Sequence, residues 1–319
     1  MALLYLGIDG GQSSTTAVIG DETGRVLGSG RGGPCNHVAA AEGRAKFIGA
    51  IGGCLRQACE EAGLDAGAVG FEAVCAGFSG GPADKEVYLR ELIRAERYFV
   101  TTDALIALSG ATAGAPGIIT IAGTGSIAYG RNAARRFARV GGWGYVYGDE
   151  GGGFDITRQA LRAVLRHEEG WGPDTVLRER LLAATGSDDA NDLMHRFYTP
   201  EFPRPVIAGF SKLVDSAAME GDAVARNILL NAAQQLATST SAVRSQLFEM
   251  AATARVAPVG GVFRSEMVME RFRMLVELED GNTVVAPEYG PGTGALLEAY
   301  ATAGIDAPPP LSNIPREKY

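Results

Sequence analysis

The sequence has little of what a nucleic-acid partner or a membrane would require. Across 319 residues, 29 Lys and Arg are outnumbered by 37 Asp and Glu, for a net charge of −8, and the basic residues are scattered without a long run. Neutralising a phosphate backbone needs a concentrated basic face, so a nucleic-acid binder is excluded. No apolar stretch approaches the roughly 20 residues that span a bilayer. The opening MALLYLGIDGG is apolar only as far as Asp9 and has no basic segment, so a buried first strand is expected rather than a secretory signal. Cysteine is scarce too. Cys35, Cys54, Cys59 and Cys75 form no CxxC pair and no zinc or iron–sulfur spacing. Reduced, structural thiols in a cytoplasmic protein are expected.

What is present is glycine, 44 residues, concentrated in short turns between runs of clear period. Tyr5 to Ile8 and Thr15 to Ile19 read as strands around Asp9-Gly10-Gly11-Gln12-Ser13, with a third over Gly24 to Gly28. Ala41 to Ala62 repeats Phe47, Ile51, Leu55, Ala58 and Ala62 at helical spacing and stops at Gly63. Phe71 to Ala76 and Tyr98 to Thr101 are of strand length, and the alternation points to an α/β domain. A second strand–turn–strand unit, IITIAGTGSIAYG from Gly117, has the form of the first. A duplicated domain follows, with boundaries at 1–115 and 116–319, the last helix and tail packing back on the N-terminal half. Helices are expected over Asp155 to Glu168, Thr175 to Ala184 and Val206 to Leu247. A strand at Val256 to Val262 then leads into a helix at Ser265 to Glu277. The tail, with Pro308, Pro309, Pro310 and Pro315, reads as extended and exposed.

Five motifs bear on chemistry. Asp9-Gly10-Gly11 after a strand is either a hairpin turn or a cradle whose N–H groups face phosphate, with Asp9 placed to hold Mg²⁺ through water. Gly123-Thr124-Gly125-Ser126 carries the same two readings. Asp103, in Thr101-Thr102-Asp103-Ala104, is a helix cap or a base within reach of a hydroxyl. Gly141-Gly142-Trp143-Gly144, followed by Gly148-Asp149-Glu150-Gly151, suits a sugar, because carboxylates accept hydrogen bonds from neighbouring hydroxyls; a core Trp and a solvated loop is the alternative. Gly260-Gly261, between a strand and a helix, lets a nucleoside approach the backbone or serves close packing.

In this order the motifs resemble the N-acetylglucosamine kinases of the BadF/BadG/BcrA/BcrD ATPase family, in the actin/hexokinase superfamily. The resemblance runs over nearly the whole chain and is most specific in Asn36-His37, TTDA at 101–104, GTGS at 123–126, GGWG at 141–144 and GDEG at 148–151. It implies two ribonuclease-H-like domains with a nucleotide cleft between them, and an ATP- and Mg²⁺-dependent cytoplasmic homodimer that phosphorylates an amino sugar, N-acetylglucosamine at its 6-hydroxyl; the alternatives are a kinase for glucosamine or another sugar, or an ATPase that activates a partner enzyme. Asp103 matches the family's catalytic Asp. Asn36, Gly142, Trp143 and Asp149 match its sugar-binding positions; Ser13, Thr124, Gly209, Gly261 and Ser265 match its ATP-binding ones; Asp9 matches the acidic position associated with Mg²⁺. Gln12 departs from the third glycine of the family's GGGT turn, and Val38 from the Trp that follows Asn-His in relatives. Family members that activate a partner dehydratase carry a bridging cysteine cluster, and no such pattern is present here.

Overall fold

The first two apolar runs fold as an antiparallel hairpin because each is a short run buried along most of its length and only four residues separate them. The computed structural model of the chain describes residues 2–11, 14–35, 41–79, 85–250, 252–305, 310–315 and 317. These form two compact units, Met1–Ala115 with Ala286–Tyr319, and Pro116–Val285. In the first, β1 (Leu4–Gly10) pairs with β2 (Thr15–Asp21), and β3 (Val26–Gly32) adds antiparallel to β2. Thus β3 begins later than expected and reaches Gly32. Helix α1 (Ala41–Glu61) leads to β4 (Gly70–Phe78), parallel to β1; α2 (Lys85–Leu92) leads to β5 (Arg94–Thr102), parallel to β4; and α3 (Asp103–Ala111) follows. The sheet order is β3-β2-β1-β4-β5.

The second unit repeats the plan. β6 (Gly117–Ala122), β7 (Ser126–Arg131) and β8 (Phe137–Gly141) form an antiparallel meander. Helices α4 (Gly153–Glu168), α5 (Leu177–Thr185), α6 (Ala190–Phe197), α7 (Arg204–Gly209), α8 (Ser211–Met219) and α9 (Ala223–Leu247) intervene. Then β9 (Ala254–Val259), a 3-10 turn at Gly261–Arg264, α10 (Glu266–Glu277) and β10 (Asn282–Val284) complete it. The order β8-β7-β6-β9-β10, with β6, β9 and β10 parallel, reproduces the first sheet strand for strand. The fold is a duplicated ribonuclease-H-like α/β domain.

Two further differences from expectation have physical causes. The helix expected over 206–247 is three helices. The chain breaks at Phe210 and again at Gly221 (φ 102), where Asp222 caps α9 by accepting from the Ala225 N–H at 2.8 Å. The last helix and the tail, within residues 286–319, group with the first unit, the half against which they were expected to pack. There α11 (Pro291–Thr302) lies on β1 and α3 so closely that a Cβ at Gly7 would come within 2.2 Å of the Leu296 N, and one at Gly294 within 2.0 Å of the Ile106 O. The tail is extended but not free. Ser312 exchanges backbone hydrogen bonds with Gly24 and Val26 at 3.0 Å, because the edge beside β3 leaves backbone groups unpaired. The four cysteines are unpaired and buried. Burial pushes the Cys54 thiol up to about 12. Among the described residues no helix is long and apolar enough to cross a membrane.

The contact between β3 and α1 sets the thickness of the first unit. A Cβ at Gly28, Gly30 or Gly32 would lie 2.2, 1.9 or 2.4 Å from the carbonyl oxygens of Ala58, Cys54 and Ala50 respectively. Two strand residues advance about 6.7 Å and four helical residues about 6 Å, so the two rows stay in step over three contacts. Phe47, Ile51, Cys54 and Leu55 are thereby pressed into the core beneath the sheet. Gly30→Ala forces the two backbones apart and is expected to cost about 1–3 kcal/mol, lowering the thermal midpoint by several degrees. Gly53→Ala, in the same helix but with open space around it, is expected to be neutral or to stabilise by up to about 1 kcal/mol. Equal effects of the two changes in thermal melts would refute the close-contact account.

Candidate active site

Parallel strands end along a common edge, and in the first unit that edge carries two carboxylates. Asp9 near the end of β1 stands opposite Gly77 of β4, which stands opposite Thr101 of β5. Asp103 follows two residues later as the first residue of α3. It is not the cap: Thr102 is, its side chain accepting from the Leu105 N–H. One Asp103 oxygen accepts from the Ala104 N–H at 2.9 Å, and the other has no partner among the described residues. Asp9 is half-buried. Its carboxyl is pushed up to about 7, first by burial and then by the negative charges of Glu317 and Asp103. Glu317 reaches this edge from the tail, where its carboxylate accepts from the Gly292 and Thr293 N–H groups at 2.6 and 2.8 Å, at the N-terminus of α11.

A divalent cation fits such a donor set. A half-buried carboxylate destabilised by like charges is relieved by a cation, and Mg²⁺ takes one or two carboxylates and completes its shell with waters and phosphate oxygens. Among the described residues no group of three or more His, Cys, Asp or Glu side chains is placed to hold a metal directly, so water-mediated binding at Asp9 is the form that fits.

In the second unit the turn between β6 and β7 is clamped to the loop 141–153. The Gly142 N–H donates to the Ser126 carbonyl at 3.0 Å, and Ser126 Oγ donates to the Glu150 carbonyl at 2.6 Å. The Gly153 and Phe154 N–H groups, opening α4, donate to the carbonyls of Gly123 and Thr124 at 2.8 and 3.0 Å. Trp143 is flanked by Gly141, Gly142 and Gly144, at φ 82, 70 and 85, a left-handed run that glycine adopts without strain. This run turns the indole outward: Trp143 is 71% exposed, with the Arg139 guanidinium 4.6 Å from its ring centre. The core alternative for Trp143 therefore fails. Asp149 is the reverse, 4% exposed at φ 64. One of its oxygens accepts from the Gly144 N–H and the other from Arg204 Nη2, both at 3.2 Å. It also lies so close to Gly125 that a Cβ there would come within 2.2 Å of Oδ2.

Beside this turn is a cavity of about 400 Å³ whose lining includes Thr124, Gly209, Gly261 and Ser265. All four residues expected to meet a nucleotide in this unit are therefore together. Gly142, Trp143 and Asp149 share the adjoining loop. Ser13 and Asn36 lie outside the described residues.

Residues 6–299 match the model of the BadF/BadG/BcrA/BcrD ATPase family. The chain belongs to this family. It is 34% identical over 285 residues to the N-acetylmuramic acid/N-acetylglucosamine kinase of Clostridium acetobutylicum, covering 86% of this chain and 90% of that one. It is 33% identical over 245 residues to the N-acetyl-D-glucosamine kinase of Dictyostelium discoideum, covering 73% and 76%. Among solved structures, a candidate N-acetylglucosamine kinase of Chromobacterium violaceum superposes with a TM-score of 0.72 at 26% identity, over 92% of this chain and 98% of the other.

Sequence reasoning missed Arg204, Lys212 and Asp215. Arg204 sits in Phe202-Pro203-Arg204-Pro205, which reads as a linker, while Lys212 and Asp215 read as the solvated face of a helix; no local signal marks them. Arg204 packs over the Tyr145 ring at 5.3 Å as it pairs with Asp149.

The raised Asp9 carboxyl makes a testable demand on stability. Because its folded value lies above its unfolded one, the protonated group favours the folded state, fully below about pH 4, and this is lost as pH rises through about 7. Asp9→Asn removes the charge, so in chelator-containing buffer its thermal midpoint is expected to exceed that of the parent by several degrees at pH 8 and by less at pH 5. A gain that is equal at both pH values, or a loss at pH 8, contradicts the burial of a strained charge.

Proposed function

We propose that the chain is an ATP-dependent amino-sugar kinase that transfers the γ-phosphoryl group to the 6-hydroxyl of N-acetylglucosamine. The observation that carries this reading is the clamp in the second unit. A glycine turn lining a nucleoside-sized cavity is hydrogen-bonded directly to the loop that bears an outward Trp and a buried carboxylate. In this reading those hydrogen bonds tie phosphate-type recognition to sugar-type recognition. Family membership and the relatives named above support the same reading.

In this reading Thr124 and the glycine-rich backbone receive the phosphates, and Gly209, Gly261 and Ser265 receive the nucleoside. Trp143 offers an apolar face to the sugar, and Asp149 accepts hydrogen bonds from its hydroxyls. Mg²⁺ held through water by Asp9 would neutralise phosphate charge. Phosphoryl transfer passes through a loose transition state in which the attacking oxygen keeps its proton until late. A carboxylate with one oxygen fixed and one unpartnered, as Asp103 has, suffices to take that proton. Fixing Oδ1 on the Ala104 N–H also holds the side chain in one orientation before substrate arrives.

Release of ADP from ATP is expected to depend on sugar, with N-acetylglucosamine giving the highest kcat/KM across a panel of hexoses and hexosamines. Asp103→Asn keeps the shape but not the proton acceptor, and should lower kcat by about 10²–10⁴-fold while nucleotide binding persists. Retention of a third of the parent's turnover would move the base elsewhere. A higher kcat/KM for glucosamine or glucose would overturn the choice of sugar and leave the kinase class standing.

A further inference from the structure

The cavity of the second unit contains one acid that no role above uses. Asp215 lies on α8, one helical turn beyond Ser211 and Lys212, and these three side chains line the same wall. Opposite them stand Gly261 and Arg264 of the 3-10 turn and Ser265, the cap of α10. The Ser265 hydroxyl donates to Asp215 Oδ1 while also accepting from the Val268 N–H as the cap of α10. This joins the two walls across the cavity and fixes the carboxylate. Oδ2 has no hydrogen bond or ion pair among the described residues, and Asp215 is only half-buried.

The chemistry of that oxygen limits what it can meet. An ionised carboxylate accepts and never donates, and it repels phosphate. The phosphate end of a nucleotide therefore belongs at the other side of the cavity, at Gly123 and Thr124. Gly260 touches that turn, since a Cβ there would come within 2.4 Å of the Ala122 carbonyl oxygen. The 3-10 turn then carries the chain about 8 Å away, at roughly 2 Å per residue, to Ser265 and its partner Asp215. Next along a nucleotide from its phosphates is the ribose, whose vicinal hydroxyls are donors suited to a single fixed carboxylate oxygen. We infer that Asp215 is the ribose-reading residue of this cavity, accepting from the 2′- and 3′-hydroxyls and selecting ribonucleotides over deoxyribonucleotides. The inference rests on the nucleotide reading given under Proposed function.

The test compares ATP, 2′-deoxyATP and ITP as phosphoryl donors to N-acetylglucosamine, with binding of each nucleotide followed by calorimetry. The parent is expected to favour ATP over 2′-deoxyATP by about tenfold or more, the worth of one charge-assisted hydrogen bond. In Asp215→Ala the ratio should fall to within about threefold while the ATP-to-ITP ratio stays put. Asp215→Asn retains an acceptor for Ser265, so α10 keeps its cap, and should give an intermediate ratio. An unchanged ATP-to-2′-deoxyATP ratio in Asp215→Ala overturns the inference. So does a change confined to ITP, which would assign the carboxylate to the base. Binding of all three nucleotides with equal affinity sinks the ribose assignment alone, whereas no binding of any nucleotide sinks the kinase reading with it.

Discussion

The direction of three strands in each sheet is the constraint on which the rest depends. β1, β4 and β5 run parallel, as do β6, β9 and β10. Parallel strands finish on one edge, and the connections that leave this edge carry residues wide apart in sequence to within one site of each other. In the first unit that edge collects Asp9 and Asp103; in the second it collects Gly123 and Gly261. The antiparallel hairpins β1–β2 and β6–β7 add the turns, because a hairpin reverses the chain at the same edge where the parallel strands stop. An all-antiparallel sheet of the same length would put half of these residues at the opposite end.

Close approach is the second constraint, and glycine is the means. Helix α1 lies directly on β3, and α11 directly on β1, at separations that no side chain on the strand would permit. The same device recurs at the site, where Gly125 leaves room for Asp149 and Arg204. The abundance of glycine in this sequence therefore has two distinct causes: turns with left-handed backbone, as around Trp143, and flat contacts between layers. Composition alone does not separate them.

The hairpins, the helix α1 with its stop at Gly63 and the strand-end position of Asp103 were legible because each rests on local period or turn chemistry. The glycine ladder on β3 was in plain view as Gly28, Gly30 and Gly32, yet its meaning needs the helix that lies across it. The helices between 204 and 247 read as one because apolar spacing carries on past Phe210 and Gly221; the left-handed backbone of Gly221 and the cap at Asp222 reveal the second break, and Phe210 carries no such mark. Strand β8 is five residues long, too short for its alternation to register. Buried Arg244, which donates to Asn282 Oδ1 at 2.7 Å and to the carbonyls of Met250 and Ala252, was illegible for a different reason. An Arg on an amphipathic helix looks like solvent surface until the loop that wraps it is known.

The loop at 141–153 shows how local cost and function are tied together. Asp149 adopts a left-handed backbone that a non-glycine residue enters at a cost of about 1 kcal/mol or more, and it buries a carboxylate as well. Neither would persist without compensation. The Gly144 N–H and the Arg204 guanidinium supply it from opposite sides, one from within the loop and one from α7, and Gly125 supplies the space. Removing Arg204 would leave a buried charge with a single backbone donor, which is worse than having no charge at all. The four residues are therefore a unit, and the unit joins the phosphate turn to the aromatic loop. Were the loop only a connection between β8 and α4, a glycine at 149 would satisfy the backbone and need no partner. That an acid stands there instead, strained, buried and held by a dedicated arginine, is the physical reason to read this loop as a binding surface.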